Sequence, residues 1–107
     1  MIRDFQPATY IMANRKYGAL YTGVTSNLMQ RIQQHREKSF TGFSSATGAQ
    51  RLVWYEQAGT MEIAILREKR IKKWNRQWKI ELIEATNPDW RDLAIDFGFE
   101  PLPPRPS

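Results

Sequence analysis

Glu68 occupies an awkward place for a carboxylate. At 100° per residue Met61, Ala64, Ile65, Glu68 and Ile71 fall within one arc of a predicted helix, so the acid lies near the middle of an apolar stripe. A charge there costs free energy unless it is paired or bound to a cation. Two partners fit. One is Lys72, four residues on, in an ion pair worth about 0.2–0.5 kcal/mol on an exposed helix. The other is a divalent ion such as Mg²⁺, which keeps several waters and is commonly held by one or two carboxylates together with substrate phosphate.

Other elements offer further chemistry. Arg31 shares a side of a predicted first helix with Leu28, Ile32 and His35. Its guanidinium either snorkels from the edge of an apolar stripe or grips a phosphate oxygen with its planar fork. His35 is the chain's one imidazole, either a packing residue or a carrier of protons near neutral pH. Tyr10 and Tyr21 each bring a hydroxyl that needs a partner. A phenol titrates at about pH 10, so as a base it needs a lowered pKa, and otherwise it orients water. Around Glu68 run seven cations, Arg67, Lys69, Arg70, Lys72, Lys73, Arg76 and Lys79, against that single acid, a net of +6 in a chain of net +5. Such a stripe is either a solvated face or a surface that neutralises phosphates and releases their counterions.

Short elements must position these groups. Ala8–Asn14 and Ala19–Thr25 are β-branched and aromatic runs joined by Arg15–Gly18, which predicts a β-hairpin. Thr25, Ser26 and Asn27 are candidate N-caps for a helix reaching about Lys38. Ser39–Gln50 reads as a surface loop and Arg51–Glu56 as a third strand. Gly59-Thr60 opens a second helix from Met61 to Asn75, bending into a continuation through Glu84. Asn87-Pro88 predicts the N-cap and first position of a last short helix, with Trp90, Leu93 and Ala94 on its buried side. This order gives an α+β domain, a small and mainly antiparallel three-stranded sheet flanked by helices. We expect one domain over residues 1–97 and a flexible Pro-rich tail over 98–107.

Composition narrows the function classes. An apolar share of 41% supports a packed core, and a mean hydropathy of -0.61 with no long apolar run argues against a membrane protein. The first residues, Met1-Ile2-Arg3-Asp4, lack the pattern of an export signal. Zero cysteines exclude disulfides, thiolate metal sites and a cysteine nucleophile, which suits the cytoplasm.

Taken in order, these residues resemble the GIY-YIG nucleases in their short stand-alone bacterial form. The first signature stands as Thr9-Tyr10-Ile11 and the second as Tyr21-Thr22-Gly23, the two tyrosines eleven positions apart. The arginine position is Arg31 in Leu28–His35, and the metal-binding glutamate is Glu68 in Leu66–Trp74. The likeness spans residues 8–93 and takes in Arg51–Glu56 and Asn87–Leu93. It departs from the family at Thr9, which stands for a glycine, and at Thr47, where an aromatic is expected. The asparagine that comes after the metal glutamate has two candidates, Asn75 and Asn87, of which Asn87 is read as the helix cap.

The resemblance implies hydrolysis of a phosphodiester by water, with one metal ion, Mg²⁺ or Mn²⁺, on Glu68. It implies that Arg31 stabilises charge on the phosphate oxygens, that Tyr10 and Tyr21 position or deprotonate the water, and that His35 assists proton transfer or phosphate contact. Lys69, Lys72, Lys73, Arg76 and Lys79 are expected to track a nucleic-acid backbone, DNA rather than RNA. No separate recognition domain is visible, so a structure-selective enzyme or one targeted by a partner protein is expected. Two other readings fit parts of the sequence: a non-catalytic nucleic-acid-binding module or accessory subunit of the same fold, and an interaction domain using the Pro101–Pro106 segment as a ligand. The set Tyr10, Tyr21, Arg31 and Glu68 separates the nuclease from both, since binding alone does not need it.

Overall fold

The structure, a computed structural model, describes residues 6–37 and 48–102. Strand β1 (Ala8–Ala13) lies in the middle of an antiparallel sheet, between β2 (Leu20–Thr25) and β3 (Arg51–Gln57). Every β1 residue is buried. The cause is that helices cover both faces, so the strand needs no polar side. Ala8, Tyr10 and Met12 pack with Leu28 and Ile32 of α1 (Leu28–Glu37) and with Ala94 of a 3₁₀ turn (Leu93–Phe97). Ile11 and Ala13 turn the other way, toward Ile71 of α2 (Met61–Lys72) and Ile83 of α3 (Arg76–Thr86). The result is the expected α+β architecture.

Local chemistry explains where the elements begin. In the hairpin link the Asn14 side chain accepts from the Ala19 amide at 2.9 Å, and the Gly18 amide donates to the Arg15 carbonyl at 2.9 Å. A Cβ at position 18 would fall onto the Asn14 side chain, so only glycine fits there. Of the three candidate caps for α1, Asn27 is the one used: its Oδ1 accepts from the Gln30 amide at 3.1 Å, while Thr25 Oγ1 accepts from the Asn27 amide at 3.0 Å. Thr60 caps α2 through the Ile63 amide at 3.2 Å. Between Ile11 and Met12 the pairing with β3 slips by one residue, and Val53 and Trp54, neighbours in sequence, both join the α2 and α3 side of the core. That is what a β-bulge does.

Three expectations need correction. The helix from Met61 to Asn75 with a bent continuation is two separate helices. The Lys73 and Trp74 amides tighten onto Arg70 and Ile71 carbonyls, and Asn75 then starts α3 by accepting from the Trp78 amide at 2.9 Å. Ile65, counted in the apolar arc, is exposed. Asn87 does not cap a following helix. It is buried, donates to the carbonyls of Val53 at 3.1 Å and Arg91 at 2.9 Å, and accepts from the Arg91 amide at 2.9 Å, bracketing the chain end against β3. The 3₁₀ turn is instead capped by Asp92, which accepts from the Ala94 amide.

Packing continues past residue 97. The Phe99 amide donates to the Ala94 carbonyl at 3.3 Å, and the Arg36 guanidinium lies over the Phe99 ring while bonding to Asp92 and the Glu100 carbonyl. The helix end at Lys38, the Ser39–Gln50 loop up to Thr47, the first five residues and the last five of the Pro-rich tail lie outside the described residues.

Because Asn87 satisfies buried backbone groups on two segments, Asn87→Ala should lower the unfolding free energy by about 2–3 kcal/mol. Urea denaturation measures this. A change under about 0.5 kcal/mol, typical of a surface position, would contradict the bracket.

Candidate active site

Tyr10 enters the α1 side of the sheet from the central strand. In the hairpin register its partner on β2 is Gly23, and its ring lies directly on that glycine. A Cβ built at position 23 would sit 2.5 Å from the Tyr10 hydroxyl and 2.6 Å from Cζ. The glycine of the second signature therefore serves as the floor under the first tyrosine. Counting the hairpin register outward from the Asn14–Ala19 turn would have found it.

Around this ring the other groups gather. The Tyr10 hydroxyl shares a hydrogen bond of 3.2 Å with Nε2 of His35, one helical turn beyond Arg31 on α1. Tyr21, two residues before Gly23, packs edge-on against His35 with ring centroids 5.3 Å apart, and its own centroid lies 6.3 Å from that of Tyr10. Arg31 is hydrogen-bonded to the Tyr10 hydroxyl and acts on His35 through its charge. Tyr10, Tyr21, Arg31 and His35 thus form one cluster between β1, β2 and α1.

Burial decides their protonation. Tyr10 is fully buried, and loss of solvent pushes its phenol well above its ordinary pKa, with the Arg31 guanidinium opposing and the Tyr21 and Glu68 charges adding to the rise. The imidazole of His35 is moved the other way, to about 4, by burial first and by Arg31 second. At neutral pH the pair is a phenol and a neutral imidazole. This ground state favours orienting water over prior ionisation of Tyr10.

Glu68 comes from the opposite layer, on α2, yet its charge still reaches the Tyr10 phenol. Its side chain is 11% exposed, and Oε2 meets Lys72 Nζ at 2.6 Å. Both sequence-level alternatives survive in this geometry, since the lysine occupies a place that a cation could take. Among the described residues no group of three or more His, Cys, Asp or Glu forms a ready metal cage. A single, nearly buried hard oxygen donor does fit a hydrated divalent ion that draws its other ligands from water and phosphate.

Next to this pair opens a cleft of about 260 Å³, lined by Leu20, Tyr21, Thr22, Lys72 and Lys79. Two of the expected phosphate-contacting lysines therefore meet at a candidate catalytic tyrosine. Lys69 and Lys73 are exposed on α2 and just beyond it. Arg76 is committed elsewhere, donating to the carbonyls of Tyr17 at 2.6 Å and Gly18 at 2.7 Å in the hairpin link. Arg67 pairs with Glu56 at 3.2 Å and lies over the rings of Trp54 and Trp74. Arg67 and Arg76 of the basic segment thus hold structural contacts, whereas Lys69, Arg70, Lys72 and Lys73 are exposed.

A family model described as the GIY-YIG catalytic domain matches residues 6–81, from the start of β1 into α3. This chain belongs to that family. GIY-YIG domains form a nuclease family and generally use divalent metal ions. A UPF0213 protein of Aeromonas salmonicida is 30% identical over 88 residues, a stretch covering 81% of this chain and 63% of that protein, so the chain spans a little under two thirds of that relative. A UPF0213 protein of Clostridium perfringens is 36% identical over 67 residues, covering 63% of this chain and 72% of its own length. Among solved structures, the solution NMR structure of a UPF0213 protein from Bacillus halodurans superposes with a TM-score of 0.52 at 25% identity, over 81% of this chain and 92% of that one. The tripeptides expected to carry the signatures, Thr9-Tyr10-Ile11 and Tyr21-Thr22-Gly23, lie on the adjacent strands β1 and β2, with Tyr10 opposite Gly23.

This geometry has two measurable outcomes. Gly23→Ala should destabilise by about 1–3 kcal/mol, because a buried ring cannot move aside cheaply. In a Tyr10→Ala background the same change should be nearly neutral, and a double-mutant cycle by thermal unfolding reads the difference. Equal costs in both backgrounds would show that the ring does not rest on Gly23.

The second concerns pH. The His35 imidazole titrates at 6.5 when unfolded and at about 4 when folded, so the unfolded chain takes the proton first. The stabilising contribution is complete above pH 6.5, falls as pH drops toward 4 and is flat below. Its slope is no steeper than about 1.4 kcal/mol per pH unit. Urea unfolding across that window should show a shallower pH dependence for His35→Gln than for wild type. Parallel curves would mean that the imidazole is not buried neutral.

Proposed function

We propose that this chain is a metal-dependent endonuclease that hydrolyses a phosphodiester of DNA, with one divalent ion, Mg²⁺ or Mn²⁺, on Glu68. One observation carries the reading: the cluster Tyr10, Tyr21, Arg31 and His35 stands beside a lysine-lined cleft, with an acid from the other layer at its edge. A binding module needs the lysines alone.

The roles follow from the contacts. A phosphate in the cleft is neutralised by Lys72 and Lys79, with exposed Lys69 and Lys73 along the backbone to either side. Arg31 meets the charge that grows on the phosphate oxygens as water attacks. Tyr10 passes its proton to His35 Nε2 as its oxygen takes one from the attacking water, so the imidazole ends protonated and returns that proton to solvent after the cut, while Tyr21 bounds the water on the cleft side. The water oxygen bonds to phosphorus, the phosphorus bond to the leaving oxygen breaks, and that oxygen is protonated from solvent. Glu68 would hold a divalent ion, which would supply Lewis-acid stabilisation of the phosphate charge.

Cleavage of single-stranded, duplex and branched DNA and of RNA, with Mg²⁺ or Mn²⁺ and with chelator, tests the reading. We expect metal-dependent cutting of DNA that drops by about 100-fold or more in Glu68→Gln, as for loss of a charge-stabilising group. Folding should be retained, because a neutral amide is easier to bury than a carboxylate. A Glu68→Gln protein that cuts at the wild-type rate would overturn the one-metal reading.

A further inference from the structure

The Glu68–Lys72 pair is lopsided. The carboxylate is nearly enclosed, whereas the lysine side chain is 52% exposed on a flexible stem. Of the two, only Lys72 is free to exchange its position without disturbing the core. Where it would go is set by its surroundings: Lys72 is also part of the wall of the cleft that holds Lys79 and Tyr21. One ammonium therefore lies within reach of two anions, the acid it holds and any phosphate that enters the cleft. A lysine suits this exchange, because its ammonium is a compact charge without the two-point geometry that would bind an arginine to either partner.

From this juxtaposition we infer that Lys72 gates the Glu68 site: it neutralises the acid until a nucleic-acid phosphate draws the ammonium into the cleft and uncovers the carboxylate for a divalent ion. The inference rests on the metal reading of Glu68 and adds a rule for when the metal binds. In the free protein a divalent ion must displace a bound ammonium, which weakens its apparent affinity. With a phosphate in place that competition is relieved, so metal and nucleic acid favour each other's binding. By linkage the factor is the same in both directions.

The gate is tested by titrating MnCl₂ into the whole protein and counting free Mn²⁺ by electron paramagnetic resonance. Wild type, Lys72→Met, Lys72→Arg and Glu68→Gln are compared, alone and with a short DNA duplex whose own Mn²⁺ binding is subtracted. Lys72→Met keeps the apolar stem and removes the competitor, so Mn²⁺ alone should bind about two- to fivefold more tightly, the range of a partly exposed ion pair. The enhancement by duplex should shrink by the same factor. Lys72→Arg keeps the pair and should bind Mn²⁺ no more tightly than wild type. If Glu68→Gln loses Mn²⁺ binding but Lys72→Met binds as wild type or more weakly, the gate is wrong and the metal reading stands. Should Glu68→Gln bind Mn²⁺ as well as wild type, the metal reading fails and the gate with it.

Discussion

Successive side chains of a strand point to opposite faces, and in this protein that alternation falls on Thr9 and Tyr10 at the centre of the sheet. Tyr10 turns toward α1 and bonds to His35. Thr9 turns toward α2, where its hydroxyl donates to the Ala64 carbonyl at 2.8 Å, one helical turn before Glu68. Two neighbouring residues thereby anchor the helix that carries the imidazole and the helix that carries the acid. The rest of the site depends on this division. Burial of all six β1 residues keeps both anchors out of water, and Gly23 leaves the space in which Tyr10 lies flat.

The same burial sets the site's electrostatics. It raises the phenol, lowers the imidazole and leaves Arg31 as the cation between them. On the other layer a carboxylate is tolerated because Lys72 neutralises it at 2.6 Å. That half is not balanced for stability alone. A core of this size would be as well served by an apolar residue at position 68, since pairing a buried charge seldom does better than an apolar side chain of similar volume. The nuclease function proposed above gives the carboxylate at position 68 a reason to be there.

Much of this was legible from residue types and spacing. The helical period placed Glu68 on a buried face without any structure, and the paired tyrosines with Arg31 carried the family signature. Other features resisted for physical reasons. Asn87 has the side chain of an N-cap, and the same donor and acceptor serve a bracket between β3 and the chain end; only the tertiary partners distinguish the two. The break before Asn75 was hidden because basic and apolar residues continue at helical spacing on both sides of it. Arg76 looked like its lysine neighbours in a charge count, yet a guanidinium near free turn carbonyls has somewhere better to go than solvent. The Thr9 hydroxyl links β1 to α2, a role that a β-branched residue in a strand does not announce by its type.

The clamp on Arg36 bears on where this protein stops being a protein and becomes a fragment. The stretch shared with the GIY-YIG family ends at residue 81 and contains all five candidate active-site residues. Arg36, adjacent to His35, is nevertheless held by Asp92, Phe99 and the carbonyl of Glu100, and Asp92 also receives the Leu52 amide of β3 at 3.2 Å. The stretch that the family model matches is therefore shorter than the unit of folding. Cut at the family boundary, the chain would retain every residue of the proposed chemistry while losing the buttress behind the histidine's turn of helix. The end of α1 therefore depends on a segment that follows the shared stretch by ten residues or more.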